Sequence, residues 1–129
     1  MKKMIKFLPL VALLISPLTQ AKDVIIPLED NAQILGKWSI YAETAALHKT
    51  KKLVNNKWDF KENGSLVSTA FDPRLDSETS VKVKYFIEDG FIKKQVQPGR
   101  EKYETCKVVK LEGKDLILHC KYLYYLLRR

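Results

Sequence analysis

Two cysteines carry the clearest chemistry in this sequence. Cys106 and Cys120 each lie seven residues from Gly113, and no further cysteine is present. The stretch around Gly113, Glu-Gly-Lys, has the composition of a tight turn, so a hairpin centred on it would place the two cysteines opposite each other. Opposed β-carbons in a hairpin are about 4.5–5.5 Å apart, close to the reach of a disulfide. The spacing therefore predicts a Cys106–Cys120 disulfide.

Catalysis and metal binding have little support in the residue pattern. The sequence contains no CxxC pair, HExxH helix, nucleophile elbow, phosphate loop or glycine-rich cofactor fingerprint. Only His48 and His119 could join the cysteines in a metal site, and histidines are more often solvated than ligating. We therefore predict a protein that is not an enzyme and that holds neither a cofactor nor a metal.

Lysines and aromatic residues provide candidates for binding instead. A polar stretch near the middle of the chain concentrates positive charge, and large rings follow it on strand-like segments. The rings could line a pocket, but a domain of this length needs a core, so core packing is the favoured interpretation. The candidate ligand-binding residues are the cationic Lys49, Lys51 and Lys52 and the aromatic Trp58, Phe71 and Tyr85.

Short strands would position these residues. Residues 80–88 alternate apolar and charged side chains, which indicates a half-buried strand, and the other segments are similar but less regular. A helical turn is predicted at 32–35, a long loop at 45–56, and an apolar tail at 122–127 that shows no turn signal. The predicted strands cover residues 37–44, 57–61, 65–71, 80–88, 91–97, 102–111 and 115–121.

The connections between these strands alternate in length. Tight turns at Asn63-Gly64, Asp89-Gly90 and 112–114 alternate with longer loops at 45–56, 72–79 and 97–101. In an up-and-down meander, successive connections lie at opposite ends, so one end would be closed by tight turns and the other would be an open mouth. The pattern predicts an all-β fold: a small antiparallel up-and-down meander barrel of seven or eight strands, preceded by a short helical turn.

The first 21 residues have the composition of a secretory signal peptide. A basic start with Lys2, Lys3 and Lys6 precedes an apolar run and then the small-residue cleavage pattern at 19–21. The apolar run is shorter than the ~20 residues needed to span a membrane. We therefore expect cleavage near Ala21, a single domain over 22–129, and an exported protein, periplasmic or secreted, in which a disulfide would form.

The chain is basic, with a net charge of +8 that falls to about +5 once the three leader lysines are removed. Such a charge favours an anionic partner, but solvated lysines on strand faces are the simpler explanation because the lysines are scattered. We therefore predict no nucleic-acid partner and no membrane span, and we expect a monomer.

Two motifs carry a resemblance to a known family. Gly36-x-Trp38 stands at the head of the meander, and residues 57–66 are similar to the W-x-F-x-x-N-G hairpin of bacterial lipocalin-like domains. With the strand order, these motifs resemble the lipocalin and lipocalin-like (calycin) group. The resemblance implies that Trp38 closes the barrel floor and that a basic residue after the last strand covers it. Arg128 is the positional candidate for that role, and Arg129 is held in reserve.

Two functions follow from the resemblance and the residues together. The first is an exported binding module for a small apolar or amphiphilic ligand, with an anionic head group matched to the lysines at the mouth. The second is a small periplasmic interaction protein, an inhibitor or accessory factor, that docks on another exported protein through its loops. A saturable ligand would favour the first, and a filled interior with an exposed aromatic patch would favour the second.

Overall fold

The chain forms a closed barrel of eight antiparallel strands in chain order. The computed structural model describes residues 24–129, so the predicted signal peptide lies outside the described residues. A 3₁₀ turn, Ala32–Ile34, precedes the barrel, as the sequence predicts. The strands are β1 (Gly36–Thr44), β2 (Lys52–Phe60), β3 (Ser65–Asp72), β4 (Ser77–Glu88), β5 (Phe91–Gln95), β6 (Tyr103–Glu112), β7 (Asp115–Cys120) and β8 (Leu123–Arg128). The predicted all-β meander is confirmed. It has eight strands, and the pairing of β8 with β1 closes the barrel.

The turns that glycine marks in the sequence share one end of the barrel, which we call the floor. They join β2 to β3, β4 to β5 and β6 to β7. In the second of them Asp89 and Gly90 have φ of 54° and 85°, the left-handed conformations that a two-residue hairpin requires. The connections at residues 45–51, 73–76, 96–102 and 121–122 lie at the opposite end, which we call the mouth. The connection at 73–76, predicted as a longer loop, has four residues, as many as the floor turn at 61–64.

The apolar tail forms a separate strand, β8, and so decides between the seven and eight strands that the sequence leaves open. Lys121 and Tyr122 form a two-residue turn at the mouth, and Leu123 pairs with Cys120 across it. Lys121 has φ of 57°, a left-handed conformation that a residue with a side chain seldom adopts. No glycine or asparagine marks this turn, so composition does not reveal it. The turn sends β8 back to the floor.

Strand β2 begins five residues earlier than predicted. Its first residues pair with the end of β1, Lys52 with Glu43 and Leu53 with Ala42. This stretch looks like a loop in the sequence because most of its side chains are polar or remain exposed at the mouth. The strand forms there because β1 supplies a template for backbone hydrogen bonds, which do not depend on burial.

The β6–β7 hairpin contains a bulge that the spacing argument did not anticipate. Glu112 pairs with Asp115, so the centre of the turn lies half a residue beyond the predicted one. An extra residue, Val109, then shifts the register, and beyond it Cys106 lies opposite Cys120 with their Cα atoms 4.1 Å apart. The predicted disulfide is confirmed, but the pairing of the two cysteines depends on this bulge.

The core fills the barrel from the floor to the Cys106–Cys120 disulfide, and every strand contributes to it. Three of its aromatic rings pack edge to face, with centroids 6.2 Å apart for Trp58 and Phe60 and 5.1 Å apart for Phe60 and Tyr85. Such pairs add to the stabilisation from burial alone. The members of this core cluster that lie on the strands are Trp38, Ile40, Trp58, Phe60, Leu66, Val83, Tyr85, Ile92, Cys106, Val108, Leu116, Leu118, Cys120 and Leu127.

Trp38 closes the floor beneath this core. Its side chain is 1% exposed, and its indole Nε1–H donates a hydrogen bond to the carbonyl oxygen of Ile34 at 2.9 Å. Gly36, at the start of β1, has φ of 107°, which favours glycine. A β-carbon there would lie in ordinary contact, 3.7 Å from Nη1 of Arg129, so the positive φ rather than crowding is the reason for glycine.

The arginine that covers Trp38 is Arg129, not Arg128. The guanidinium carbon of Arg129 lies 4.0 Å from the centroid of the Trp38 ring, and its Nη1 donates to the carbonyl oxygen of Leu35 at 2.7 Å. Arg128 pairs with Ser39 on the outer face and stacks on Tyr41 at 3.8 Å. Side chains alternate along β8, so the residue after the strand folds across the floor while Arg128 points away from it.

The two arginines form a matched pair for mutagenesis. We expect Arg129→Ala to lower the free energy of unfolding by about 1–2 kcal/mol, because it removes a cation–π contact and a charged hydrogen bond. Arg128→Ala should cost about 1 kcal/mol or less, since it removes only an exposed cation–π contact. Urea denaturation of both variants measures the difference. An Arg128→Ala variant less stable than Arg129→Ala would contradict this assignment of the floor.

Candidate functional site

A groove of about 600 Å³ opens at the mouth end of the barrel, between the start of β2 and the end of β3. We call it the mouth groove. It brings together two of the predicted candidates, Lys52 and Phe71. The residues that line it are Lys52, Leu53, Val54, Asn55, Asn56, Phe71 and Pro73.

The groove exists because the two strands separate before they end. The pairing between β2 and β3 stops at Asn56 and Ala70. Beyond that point β2 continues to Lys52, and among the described residues it pairs there only with β1. The turn at 73–76 carries β3 into β4, away from β2. The edge of β2 therefore faces the groove, which explains why consecutive residues from both of its faces line it.

The walls of the mouth groove are largely apolar, and one of the candidate lysines lies among them. Leu53 is 79% exposed, an unusual position for a large apolar side chain, and Val54 packs partly against the core. Lys52 lies on the wall, while Lys49 and Lys51 lie in the connection that leads into β2 and are exposed. The Lys51 ammonium donates to the Leu47 carbonyl oxygen at 3.0 Å, which ties its side chain to that connection.

The nearest acidic residue of β3 does not oppose this positive charge. Asp72 accepts hydrogen bonds from the backbone and side chain of Arg74 and forms an ion pair with it at 3.2 Å. The Arg74 side chain, with its backbone N–H, holds the pKa of Asp72 below its usual value, so this carboxylate is ionised and already paired.

Phe71 and Tyr85 do not line one pocket together, although the sequence makes both of them candidates for ligand binding. Phe71 lies five positions along β3 from the buried Leu66, and strict alternation places it on the outer face, where it reaches the groove from the side. Tyr85 lies at the floor: its hydroxyl donates to the carbonyl oxygen of Lys61 at 2.6 Å and accepts from Nδ2 of Asn31 at 3.0 Å. Burial raises the pKa of Tyr85, and the Asn31 hydrogen bond partly opposes this.

Trp58 faces the barrel interior rather than the groove. It is 6% exposed and lies 5.2 Å, centroid to centroid, from Tyr125. The Lys94 ammonium lies 5.3 Å from the Trp58 centroid and forms an ion pair with Glu104 at 2.9 Å, and both charged side chains are largely buried. Trp58 thus marks the boundary between the apolar core and a polar layer above it.

Sequence reasoning missed this polar layer. Lys94 pairs with the buried Tyr85, and Glu104 pairs with Lys94, so register places both side chains on the inner face. Burial raises the pKa of Tyr125, and the carboxylates of Glu104 and Glu43 raise it further, so its phenol stays protonated at neutral pH. The alternation of β5 around the apolar Ile92 is the signal that could have located Lys94.

The cysteines do not offer a metal site in this arrangement. Glu104 and the two cysteine sulfurs lie within 4.8 Å of one another. The sulfurs are joined in a disulfide, and metal ligation by cysteine requires the thiolate. The cluster is therefore the place where the polar layer meets the disulfide.

These features together define a lipocalin-like barrel. Among solved structures, the chain is similar to a lipocalin-like protein from Bacteroides uniformis, with 18% identity, a TM-score of 0.63, and a match that covers 76% of this chain and 99% of that one. It is also similar to an uncharacterized protein from Bacteroides eggerthii, with 16% identity, a TM-score of 0.61 and coverage of 74% and 98%. No protein-family model matches the sequence, and no curated protein is similar to it in sequence. At these identities the likeness establishes the fold.

Proposed function

We propose that this protein is an exported binding module for a small amphiphile with an anionic head group. The observation that carries the proposal is the mouth groove, in which exposed apolar side chains lie beside Lys52. Its volume of about 600 Å³ lies in the range typical of small-molecule sites.

The two parts of the groove would hold the two parts of the ligand. An alkyl chain along Leu53 and Phe71 would gain about 0.8 kcal/mol for each methylene removed from water. The ammonium groups of Lys49, Lys51 and Lys52 would orient a carboxylate or phosphate at the rim. This attraction is screened by salt, so the lysines would affect the encounter rate and the head-group preference more than the total affinity.

Export and the absence of catalysis are part of the same proposal. Disulfides persist in extracellular and periplasmic proteins, and Cys106–Cys120 fits that environment. The predicted signal peptide at 1–21 would supply the route. Among the described residues, no helix has the length and hydropathy needed to cross a membrane. The groove offers an apolar wall and ammonium groups, which suit binding without a chemical step.

Fatty-acid titration of delipidated protein tests the proposal. We expect saturable binding, and we expect Lys49→Ala/Lys51→Ala/Lys52→Ala to weaken it by about tenfold at low salt, because exposed ion pairs contribute about 0.2–1 kcal/mol each. Lys102→Ala/Lys107→Ala/Lys114→Ala removes the same charge from exposed positions outside the groove and should leave the affinity nearly unchanged. Isothermal titration calorimetry measures each affinity.

The apolar wall has its own matched control. Leu53→Ser should weaken fatty-acid binding, whereas Val24→Ser should not, although the two side chains are almost equally exposed, 79% and 78%. Absence of saturable binding by the parent protein would refute the proposed function. Binding that is insensitive to the lysine variant and to salt would remove the role of the three lysines.

A further inference from the structure

The mouth half of β4 is an open sheet edge. From Ser77 to Lys84 this strand pairs with β3, but among the described residues its pairing with β5 begins only at Tyr85 and Lys94. Strand β5 ends at Gln95 and the chain then turns away. Residues 77–82 are exposed on both faces, so solvent reaches this edge from every side.

Hydrogen-bond partners show which backbone groups point outward from this edge. The Lys84 N–H donates to Oε1 of Gln95 on the β5 side, whereas the Tyr85 N–H donates to the Gly64 carbonyl oxygen on the β3 side. Backbone groups alternate in direction along a strand. The N–H and C=O groups of Glu78, Ser80 and Lys82 therefore face the open side.

Two features limit the length of the open edge. Asp76, at one end, belongs to the turn and has φ of 49°. Gln95, at the other end, is 2% exposed and its side chain already occupies the Lys84 N–H. The available strand runs from Ser77 to Val83, and Ser80 is its midpoint.

We propose that a second copy of this chain binds along this edge, with its own β4 antiparallel and a two-fold axis at Ser80. In this register Ser80 faces Ser80 of the partner subunit, and Glu78 faces Lys82 of the partner subunit. The two-fold axis repeats that contact, so two oppositely charged pairs flank the centre. Opposite charges directly across a pair of strands are stabilising, and like charges are destabilising.

Charge and hydrogen bonding select this register over its neighbours. Moving the axis to residue 79 places Glu78 opposite Ser80 and carries Lys82 opposite Asp76, which lies in the turn. Moving it to residue 81 places Glu78 opposite Lys84, whose N–H is occupied by Gln95. The register centred on Ser80 uses every outward-facing backbone group of the open edge and pairs both of its charges.

The side chains along the open edge are accessible to a partner subunit. Glu78 has an ion pair with Lys57 at 3.7 Å, but both side chains are 55% exposed, so this contact is weak. Val81, on the opposite face, is 44% exposed and would face Thr79 of the partner subunit. The sequence predicts a monomer because it does not reveal this edge. A paired edge is a small interface, below the ~1,200 Å² typical of stable complexes, so the dimer should form mainly at high protein concentration.

Charge reversal provides the test, with sedimentation equilibrium over a range of protein concentrations as the measurement. The parent protein should show a reversible monomer–dimer equilibrium. Glu78→Lys alone and Lys82→Glu alone should each weaken the dimer at least tenfold, because each places like charges opposite each other. An equimolar mixture of the two variants should dimerise again, and so should the double variant Glu78→Lys/Lys82→Glu, because both restore opposite pairs.

Each possible result of this experiment either supports or overturns the proposed dimer. A parent that stays monomeric at the highest concentration reached would overturn the proposal. A dimer that neither single variant weakens, or whose mixture does not recover, would show that the copies meet elsewhere or in another register. Lys57→Ala serves as the control, since it removes the neighbouring charge without altering the paired edge and should leave dimerisation intact. Circular dichroism of each variant verifies that the barrel is folded.

Discussion

Replacing Trp38 with alanine should lower the free energy of unfolding by about 3–5 kcal/mol, the cost typical of a large buried aromatic side chain. The ring is 1% exposed and closes the floor beneath a core to which all eight strands contribute. Its removal leaves a cavity that the surrounding strands cannot fill, because closure of the barrel fixes their spacing. It also removes the platform on which Arg129 stacks.

A conservative variant separates the contributions of the Trp38 ring. Trp38→Phe keeps an aromatic face for Arg129 but loses the Nε1–H hydrogen bond to the Ile34 carbonyl oxygen and part of the volume. We expect it to cost less than Trp38→Ala. Urea denaturation followed by far-ultraviolet circular dichroism measures both variants, because tryptophan fluorescence changes with the substitution. Full stability of Trp38→Ala, or ready quenching of Trp38 by iodide, would contradict the floor role.

Loss of the Cys106–Cys120 disulfide should cost about 3 kcal/mol, the value expected for a closed loop of about 15 residues. The bridge joins residues that are 14 positions apart and are both buried, with exposures of 0% and 2%. Cys106→Ala/Cys120→Ala removes the cross-link without leaving a free thiol. The unfolded chain of this variant gains conformational freedom, which shifts the equilibrium towards unfolding.

Reduction of the parent protein provides the matched comparison for the double alanine variant. Under a thiol reductant the parent should lose nearly the same stability as the variant, and the variant itself should not respond to the reductant. A parent protein whose stability is unchanged by reduction would contradict the estimate. Titration of two free thiols in unfolded protein that has not been reduced would show that the bridge does not form.

Turn chemistry explains how much of the fold could be predicted from the sequence. Asp89-Gly90 marks its turn because glycine and aspartate tolerate positive φ, and turns of this kind located the floor of the barrel. Lys121 adopts a similar conformation, but no glycine or asparagine indicates a turn there. The sequence therefore could not decide whether an eighth strand follows. The bulge at Val109 could not be predicted either, because a bulge depends on the pairing of two strands rather than on composition.

The candidate site was less predictable because it depends on which residues face each other across strands. Lys52 and Phe71 do meet in the mouth groove, but Tyr85 lies at the floor and Trp58 in the core. The sequence predicts an open mouth at one end of the barrel, whereas the groove opens at the side where β2 and β3 separate. That separation follows from the register at Asn56, which no local pattern in the sequence specifies.

The seam between the first and last strands has a consequence for the way the barrel is assembled. At the floor, Arg129 binds the Leu35 carbonyl oxygen, a contact between residues 94 positions apart. The other seven pairings join strands that are neighbours in the sequence and can form as successive hairpins, but β1 keeps one edge open until β8 has been synthesised. Contacts of such long range pay the entropy of loop closure before they gain energy, and they slow folding. An incomplete chain would therefore present the backbone edge of β1 as a site for association, which makes the last strand the step that protects this protein from aggregation.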